Sequence, residues 1–320
     1  VGDVAIRHLS VKRDDLSSTA YGGNKARKLD FFLGKAIAER RRAVITFGAY
    51  GSNHALATAI HGKAVGLEPH AILSPQSPTA YARATLLAHA GLGTHLHPIE
   101  GWDGSAACDR LVRELSSRDG VEPLVVPMGG SSALGAAAFA NAAVELLDQR
   151  EPDLVYAAAG TLGTVVGLAV GFAAARARTR VMAPRVTEAT VANDAVAAEL
   201  ARETVSLLSS LDRSFPDLVP SALPLELRHD FFEPGYAIPT PEGEAAVALA
   251  RDFGVKLETT YTGKAMAALL ADAADGRLAE TDVVFWNTFS SAPMPTPGRV
   301  EALPLALRDY VLECERRFRT

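Results

Sequence analysis

Short runs of β-branched and aliphatic residues alternate along the chain with longer, alanine-rich amphipathic stretches. The runs at 43–47, 70–74, 94–99, 123–126, 154–157, 180–183 and 282–286 have the length and apolar continuity of strands buried on both faces. The stretches between them, 53–65, 80–90, 106–117, 136–147, 164–177 and 194–211, read as helices. Repeated strand–helix units of this size predict an α/β fold with mostly parallel sheets, helices on both faces and right-handed crossovers. A strand-like segment also opens the chain, leaving room for native residues ahead of Val1.

Two composition shifts punctuate this rhythm. Residues 120–135 carry Pro123, Pro127, Gly129, Gly130 and Gly135, and read as a connection between two α/β layers. Residues 214–241 contain Pro216, Pro220, Pro224, Pro234, Pro239 and Pro241, and read as loops at a functional edge. The helix preceding 40–42 ends in arginines, which suits a solvated helix C-terminus. No internal repeat or low-complexity tail is found.

The 320 residues are 48% hydrophobic and 22% charged, with a formal net charge of −5. That balance disfavours nucleic-acid partners, which need clustered cations. Cys108 and Cys314 are too few for a disulfide framework and lack zinc-ligand spacing, so a reducing, cytoplasmic setting is expected. No apolar run approaches the ~20 residues of a membrane span, and no signal peptide opens the chain.

Four segments could carry chemistry. In Tyr21-Gly22-Gly23-Asn24-Lys25-Ala26-Arg27-Lys28, two glycines precede a helix start with Asn24 placed to cap it. Lys25 then sits where the helix dipole disfavours a cation and favours a neutral, nucleophilic amine, with Lys28 one turn later on the same face. Two solvated surface lysines would read alike. Gly48-Ala49-Tyr50-Gly51-Ser52-Asn53-His54 follows an apolar strand and opens a helix, an arrangement that either binds an anion or simply caps the helix. Ala159-Gly160-Thr161-Leu162-Gly163-Thr164 repeats that layout with two hydroxyls, fitting a phosphate cradle or a tight strand–helix turn. Tyr261-Thr262-Gly263-Lys264, together with Tyr236 beside Gly235, places tyrosines next to glycines, and Lys264 is a rival amine.

Other candidates are bland. His95 and His97 share one face of a short strand, but no third ligand is evident and no metal is expected. No Gly-x-Ser-x-Gly elbow or Walker motif is present.

Taken in order, Gly22-Gly23-Asn24-Lys25-Ala26-Arg27-Lys28-Leu29, Gly51-Ser52-Asn53-His54, Pro127-Met128-Gly129-Gly130-Ser131-Ser132-Ala133-Leu134-Gly135 and Tyr261-Thr262-Gly263-Lys264-Ala265-Met266 resemble the D-cysteine desulfhydrase and 1-aminocyclopropane-1-carboxylate deaminase family. These are pyridoxal 5′-phosphate (PLP) enzymes of fold type II, the tryptophan-synthase-β-like group. The resemblance spans roughly residues 5–295. It implies two three-layer α/β domains, a smaller one at 29–135 and a larger, cofactor-binding one made of 1–28 and 136–320. It also implies a homodimer with a small amino-acid substrate.

The roles it implies are specific. Lys25 holds the cofactor as a Schiff base and shuttles the Cα proton. Lys28 and the turn Gly160, Thr161, Leu162, Gly163 and Thr164 bind its phosphate. Asn53 meets the ring 3′-oxygen, and Thr262 faces the ring nitrogen. Ser52, Asn53 and His54 receive the substrate carboxylate, with Ser52 a further proton carrier, while Tyr261 and Tyr236 line the substrate side. A neutral Thr262, where the cyclopropane branch has an acid, favours β-elimination of a good leaving group over ring opening.

Three departures bear on substrate choice. Residues 287–293 replace a glycine pair, Gly51 follows Tyr50 where a larger residue usually precedes the serine, and Leu56 stands where arginine is common. Another β-elimination or β-replacement enzyme of the same fold, and a retired ligand-binding homologue, are the alternatives. A dinucleotide oxidoreductase is disfavoured because Gly-x-Gly-x-x-Gly is missing.

Overall fold

A computed structural model describes residues 6–318. In chain order its main elements are β1 (His8–Lys12), α1 (Asn24–Ala38), β2 (Ala43–Ala49), α2 (Asn53–Ala64), β3 (Glu68–Ser74), α3 (Ala80–Leu92), β4 (His95–Pro98), α4 (Ser105–Asp119) and β5 (Leu124–Val126). There follow α5 (Ala133–Gln149), β6 (Leu154–Tyr156), α6 (Gly163–Ala174), β7 (Arg180–Pro184), α7 (Asp194–Leu211), β8 (Leu225–Arg228), α8 (Pro241–Asp252), α9 (Thr262–Ala274), β9 (Asp282–Trp286) and α10 (Leu305–Arg317). Every strand pairing is parallel. Among the described residues no helix is long and apolar enough to cross a membrane.

The chain forms two compact units. The first takes the chain up to Lys28 together with Ser131–Ser291, and the second takes Leu29–Gly130 with Ala292–Thr320. In the first, the sheet order is β1-β9-β6-β7-β8. Strand alternation sends Val155, Val181, Val284 and Trp286 to a core shared with α5, α6 and α7, and Leu154, Tyr156, Met182, Val283 and Phe285 to a core shared with α8 and α9. Helix α6 is apolar all round and buried along most of its length, as a helix between layers must be. Gly167 and Gly171 let it approach α5 so closely that a methyl at either would collide with the carbonyl of Ala136 or Ala140.

In the second unit the sheet order is β4-β3-β2-β5. One face packs Ala71, Leu73 and Leu96 against α2 and α3, and the other packs Ile45 and Ile72 against Leu111 and Leu115 of α4. The expected division placed everything after 136 in the larger domain. The C-terminal segment instead joins the second unit, because Leu303, Leu307 and Val311 complete the core around Leu73, Leu86 and Leu96. The change of unit falls between Gly130 and Ser131. The proline-rich stretch 214–241 is not all loop: it contains β8, whose four residues between prolines are too few to show a period.

Candidate active site

The start of α1 is fixed from below. Asp14, 1% exposed, accepts from Trp286 Nε1 at 2.7 Å and from Arg27 Nε at 2.9 Å, and Arg27 also binds Glu145 at 2.7 Å. Burial pushes the Asp14 carboxyl up, with the Arg27 guanidinium opposing that shift. Gly23 has φ +88 and its N–H donates to the Asp14 carbonyl at 2.6 Å, while Asn24 N–H donates to the Thr288 carbonyl at 3.1 Å. A side chain at Gly23 would place its Cβ 2.7 Å from that same Thr288 oxygen, so the turn requires glycine. Residues 287–291, the segment that departs from the family pattern, therefore form the seat on which this helix begins. Asn24 does not cap the helix as expected. It is the first helical residue, and its Nδ2 donates to Thr164 Oγ1 at 2.9 Å.

Lys25 and Lys28 follow on consecutive turns. Lys25 is half-buried, and desolvation of its amine lowers the pKa to about 8 against the opposing attraction of the Glu258 carboxylate. Lys28 is 1% exposed, and burial, reinforced by repulsion from Lys25, holds its pKa well below the usual lysine range. Its Nζ donates to Ser131 Oγ at 3.4 Å and stands 5.9 Å over the Phe139 ring.

The turn from β6 into α6 meets this amine. Leu162 adopts φ 66 and ψ −24, and no side chain caps the α6 N-terminus. Gly163 N–H donates to Ser131 Oγ at 3.1 Å, and that hydroxyl lies 2.7 Å from Thr161 Oγ1. A Cβ on Gly163 would stand 2.7 Å from Ser131 Oγ and 2.8 Å from Lys28 Nζ, so its absence keeps a small polar cradle open. A helix N-terminus, a buried amine and two hydroxyls together form an anion site of the size and chemistry of a phosphate. Ser131 had no role assigned from sequence, because its part depends on a contact across more than thirty positions.

Tyr261 reaches the same turn: a methyl at Gly160 would lie 3.2 Å from its ring. The Tyr261 and Tyr236 hydroxyls are 2.7 Å apart, and burial raises the Tyr236 pKa. Thr262 does not present a lone neutral hydroxyl. It is 1% exposed, and its Oγ1 accepts the Glu258 N–H at 2.9 Å. The Glu258 carboxylate in turn accepts the N–H groups of Thr260, Tyr261 and Thr262 at 2.7, 2.9 and 2.8 Å. Glu258 was invisible to motif reading because it precedes the glycine-flanked segment and acts through backbone. Lys264, the rival amine, is structural: 1% exposed, it donates to the carbonyls of Phe232 and Gly235 at 2.7 and 3.1 Å.

Ser52, Asn53 and His54 belong to the second unit. Ser52 caps α2, accepting Ala55 N–H at 3.2 Å, and Gln76 Oε1 receives Gly51 N–H at 2.9 Å. Asn53 Oδ1 accepts from the Tyr81 hydroxyl, which orients its amide. At the start of α2, His54 offers the carboxylate only its main-chain N–H, because its ring is engaged elsewhere. Its ring is 4% exposed and pairs through Nε2 with Thr46 Oγ1 of β2 at 2.9 Å, so its side chain anchors α2 on the sheet.

Two parallel α/β units with an anion cradle and an adjacent depressed lysine define the architecture of a PLP enzyme of fold type II. Residues 3–288 match the family of pyridoxal-phosphate dependent enzymes, and the chain belongs to it. Its structure is similar to that of an ACC deaminase homologue, with 27% identity, a TM-score of 0.77, and coverage of 96% of this chain and 88% of that one. The fold is shared with threonine deaminase isoform 2 from Solanum lycopersicum, at 16% identity and TM-score 0.59 over 96% and 82% of the chains. It is shared also with a hydrogen sulfide-producing enzyme from Fusobacterium nucleatum, at 15% identity and TM-score 0.57 over 88% and 90%.

Proposed function

We propose that the chain is a PLP-dependent lyase that removes the β-substituent of a small amino acid, in the manner of a D-cysteine desulfhydrase, releasing pyruvate, ammonia and sulfide or a thiol. The observation that carries this reading is the pair Lys25 and Lys28. One turn of α1, about 5 Å of rise, separates an amine of pKa about 8 from an amine set at the α6 N-terminus. Bound there, the cofactor supplies an aldehyde for Lys25 and for the substrate amine, and a ring that accepts the electron pair left by a departing Cα proton.

The chain's own residues supply the rest. Lys28, Ser131, Thr161 and the Gly163 N–H hold the phosphate. Lys25, half neutral at about pH 8 and largely neutral above it, takes the Cα proton at its Nζ and returns a proton later. The N–H groups at the start of α2, with the Ser52 hydroxyl, are within their own unit an anion site suited to a carboxylate. Tyr236 and Tyr261, sharing one hydrogen bond, keep a proton ready for the leaving sulfur, since a raised pKa keeps Tyr236 protonated. The Cα–H and Cβ–S bonds break, the first electron pair becomes the new C=C bond, and the second leaves with sulfur. Cβ then takes up a proton, and water replaces nitrogen at Cα, leaving pyruvate and ammonia.

A second reading, opening of the cyclopropane amino acid, is favoured by the Glu258 carboxylate beside Thr262 and by the likeness to the ACC deaminase homologue. Assay of the purified enzyme with D-cysteine, L-cysteine and 1-aminocyclopropane-1-carboxylate separates the two. Sulfide with pyruvate from D-cysteine supports the first reading, and a four-carbon 2-oxo acid from the cyclopropane substrate alone overturns it.

A further inference from the structure

The N-terminal ends of β3 and β4 carry a second constellation, whose side chains have no part in the site described above. Glu68 and His70 alternate onto one face of β3, and His95 and His97 onto one face of β4. The parallel register sets His70 opposite His95 and Ile72 opposite His97. All four side chains thereby share one face of the sheet, so strand register brings to His95 two further donors, Glu68 and His70, that sequence spacing alone does not place beside it.

We infer that Glu68, His70 and His95 form a divalent transition-metal site, zinc-like in ligand preference, that clips the edge strand β4 to β3. One ligand atom from each residue lies within 4.8 Å of the others. Glu68 Oε1 stands 2.9 Å from His70 Nε2 and 3.4 Å from His95 Nε2. Ligands on a tetrahedral Zn²⁺ at 2.0–2.1 Å are about 3.3 Å apart, so these separations need only small side-chain adjustment. The larger adjustment falls on His95, 54% exposed, whose ring stacks on that of His70 with centroids 4.6 Å apart and 16° between planes and must turn for the two nitrogens to converge on one ion. Two imidazoles and a carboxylate suit Zn²⁺ or its neighbours rather than Mg²⁺ or Ca²⁺.

His97 supplies what such a site needs behind it. Its Nε2 lies 3.0 Å from His70 Nδ1, so it fixes the ring that offers Nε2 to the cation and plays the orienting part usual for a partner of a metal-bound histidine. Water completes the fourth position. Arg118 is the built-in competitor: its Nη1 donates to the same Glu68 Oε1 at 2.9 Å, and it also pairs with Asp119. Being 48% exposed and doubly partnered, it can release the carboxylate oxygen without losing its charge balance.

The test is equilibrium dialysis of the holoenzyme against micromolar Zn²⁺ near neutral pH, with metal content and melting temperature read together. Wild type should take up about one Zn²⁺ per chain and melt higher with it. His95→Ala, at an exposed position that leaves folding intact, should lose that ion and its thermal shift. His97→Ala should weaken binding about tenfold or more, and Arg118→Ala should tighten it. Desulfuration or deamination by His95→Ala should equal wild type, which keeps the outcome independent of the proposed reaction. No saturable Zn²⁺ uptake, or uptake and thermal shift unchanged in His95→Ala, overturns the site.

Discussion

Glu258 and Thr262 hold each other at both ends of the turn that leads into α9. The carboxylate of Glu258 accepts the Thr262 N–H at 2.8 Å, and the hydroxyl of Thr262 accepts the Glu258 N–H at 2.9 Å. This reciprocal pair closes the N-terminus of α9 in the way a capping box does, and it presents Tyr261 from a fixed backbone. The residue that separated two activities in the motif is therefore one half of a unit that already contains an acid. Glu258→Ala should lower stability by about 1–2 kcal/mol, measured by denaturant unfolding. It should also reduce kcat more than it raises KM, since the Tyr261–Tyr236 pair loses its support.

Lys25→Ala should abolish covalent retention of the cofactor, read by mass spectrometry after borohydride treatment, together with all turnover. Lys264→Ala should retain the adduct, because that amine is occupied by two backbone carbonyls. A protein that keeps the adduct without Lys25 would move the nucleophile elsewhere.

The pH dependence of cofactor uptake follows from the direction of the Lys25 shift. Only the neutral amine attacks an aldehyde, and its pKa is lowered from 10.5 to about 8. The rate of apoenzyme reconstitution should rise about tenfold per pH unit below 8 and flatten above it. A rise that continues past pH 10 would mean an unshifted lysine.

Lys28→Met should act oppositely on two quantities. Removing an amine whose charged form burial penalises should stabilise the apoenzyme by about 1 kcal/mol or more, seen as a higher apo melting temperature. The same change should weaken cofactor binding by at least about 100-fold, the loss of a charge-assisted contact worth some 3 kcal/mol. Gly163→Ala should weaken binding as well, since its methyl would enter the space between Ser131 Oγ and Lys28 Nζ.

Arg27→Ala removes the cation from the buried Asp14 carboxylate and should cost about 3 kcal/mol. Calorimetry of the apoenzyme would show it, and no change in melting temperature would mean that Trp286 alone suffices to hold Asp14.

The alternation of apolar runs and helical stretches made the parallel α/β class legible, because strands buried on both faces write themselves as continuous hydrophobic sequence. The glycine-flanked segments around Lys25 and Gly160 were legible for a local reason: a turn that needs positive φ, or room beside an anion, tolerates little else. What stayed hidden depends on neighbours distant in sequence. Ser131 gains its part from Thr161 and Gly163, His54 is turned inward by Thr46, and Glu68 and His70 meet His95 only through strand register. Glu258 was hidden differently, since a carboxylate bound to main-chain N–H groups leaves no motif.

The return of Ala292–Thr320 to the unit built by Leu29–Gly130 has a practical corollary. The family match stops at residue 288, yet Leu307 and Val311 of α10 wall off Leu73, Leu86 and Leu96. A boundary drawn at the end of the family match would strip a layer from the second sheet and bare its aliphatic side chains to water. Fusion partners and truncations are best placed after the final helix, however far it lies from the chemistry.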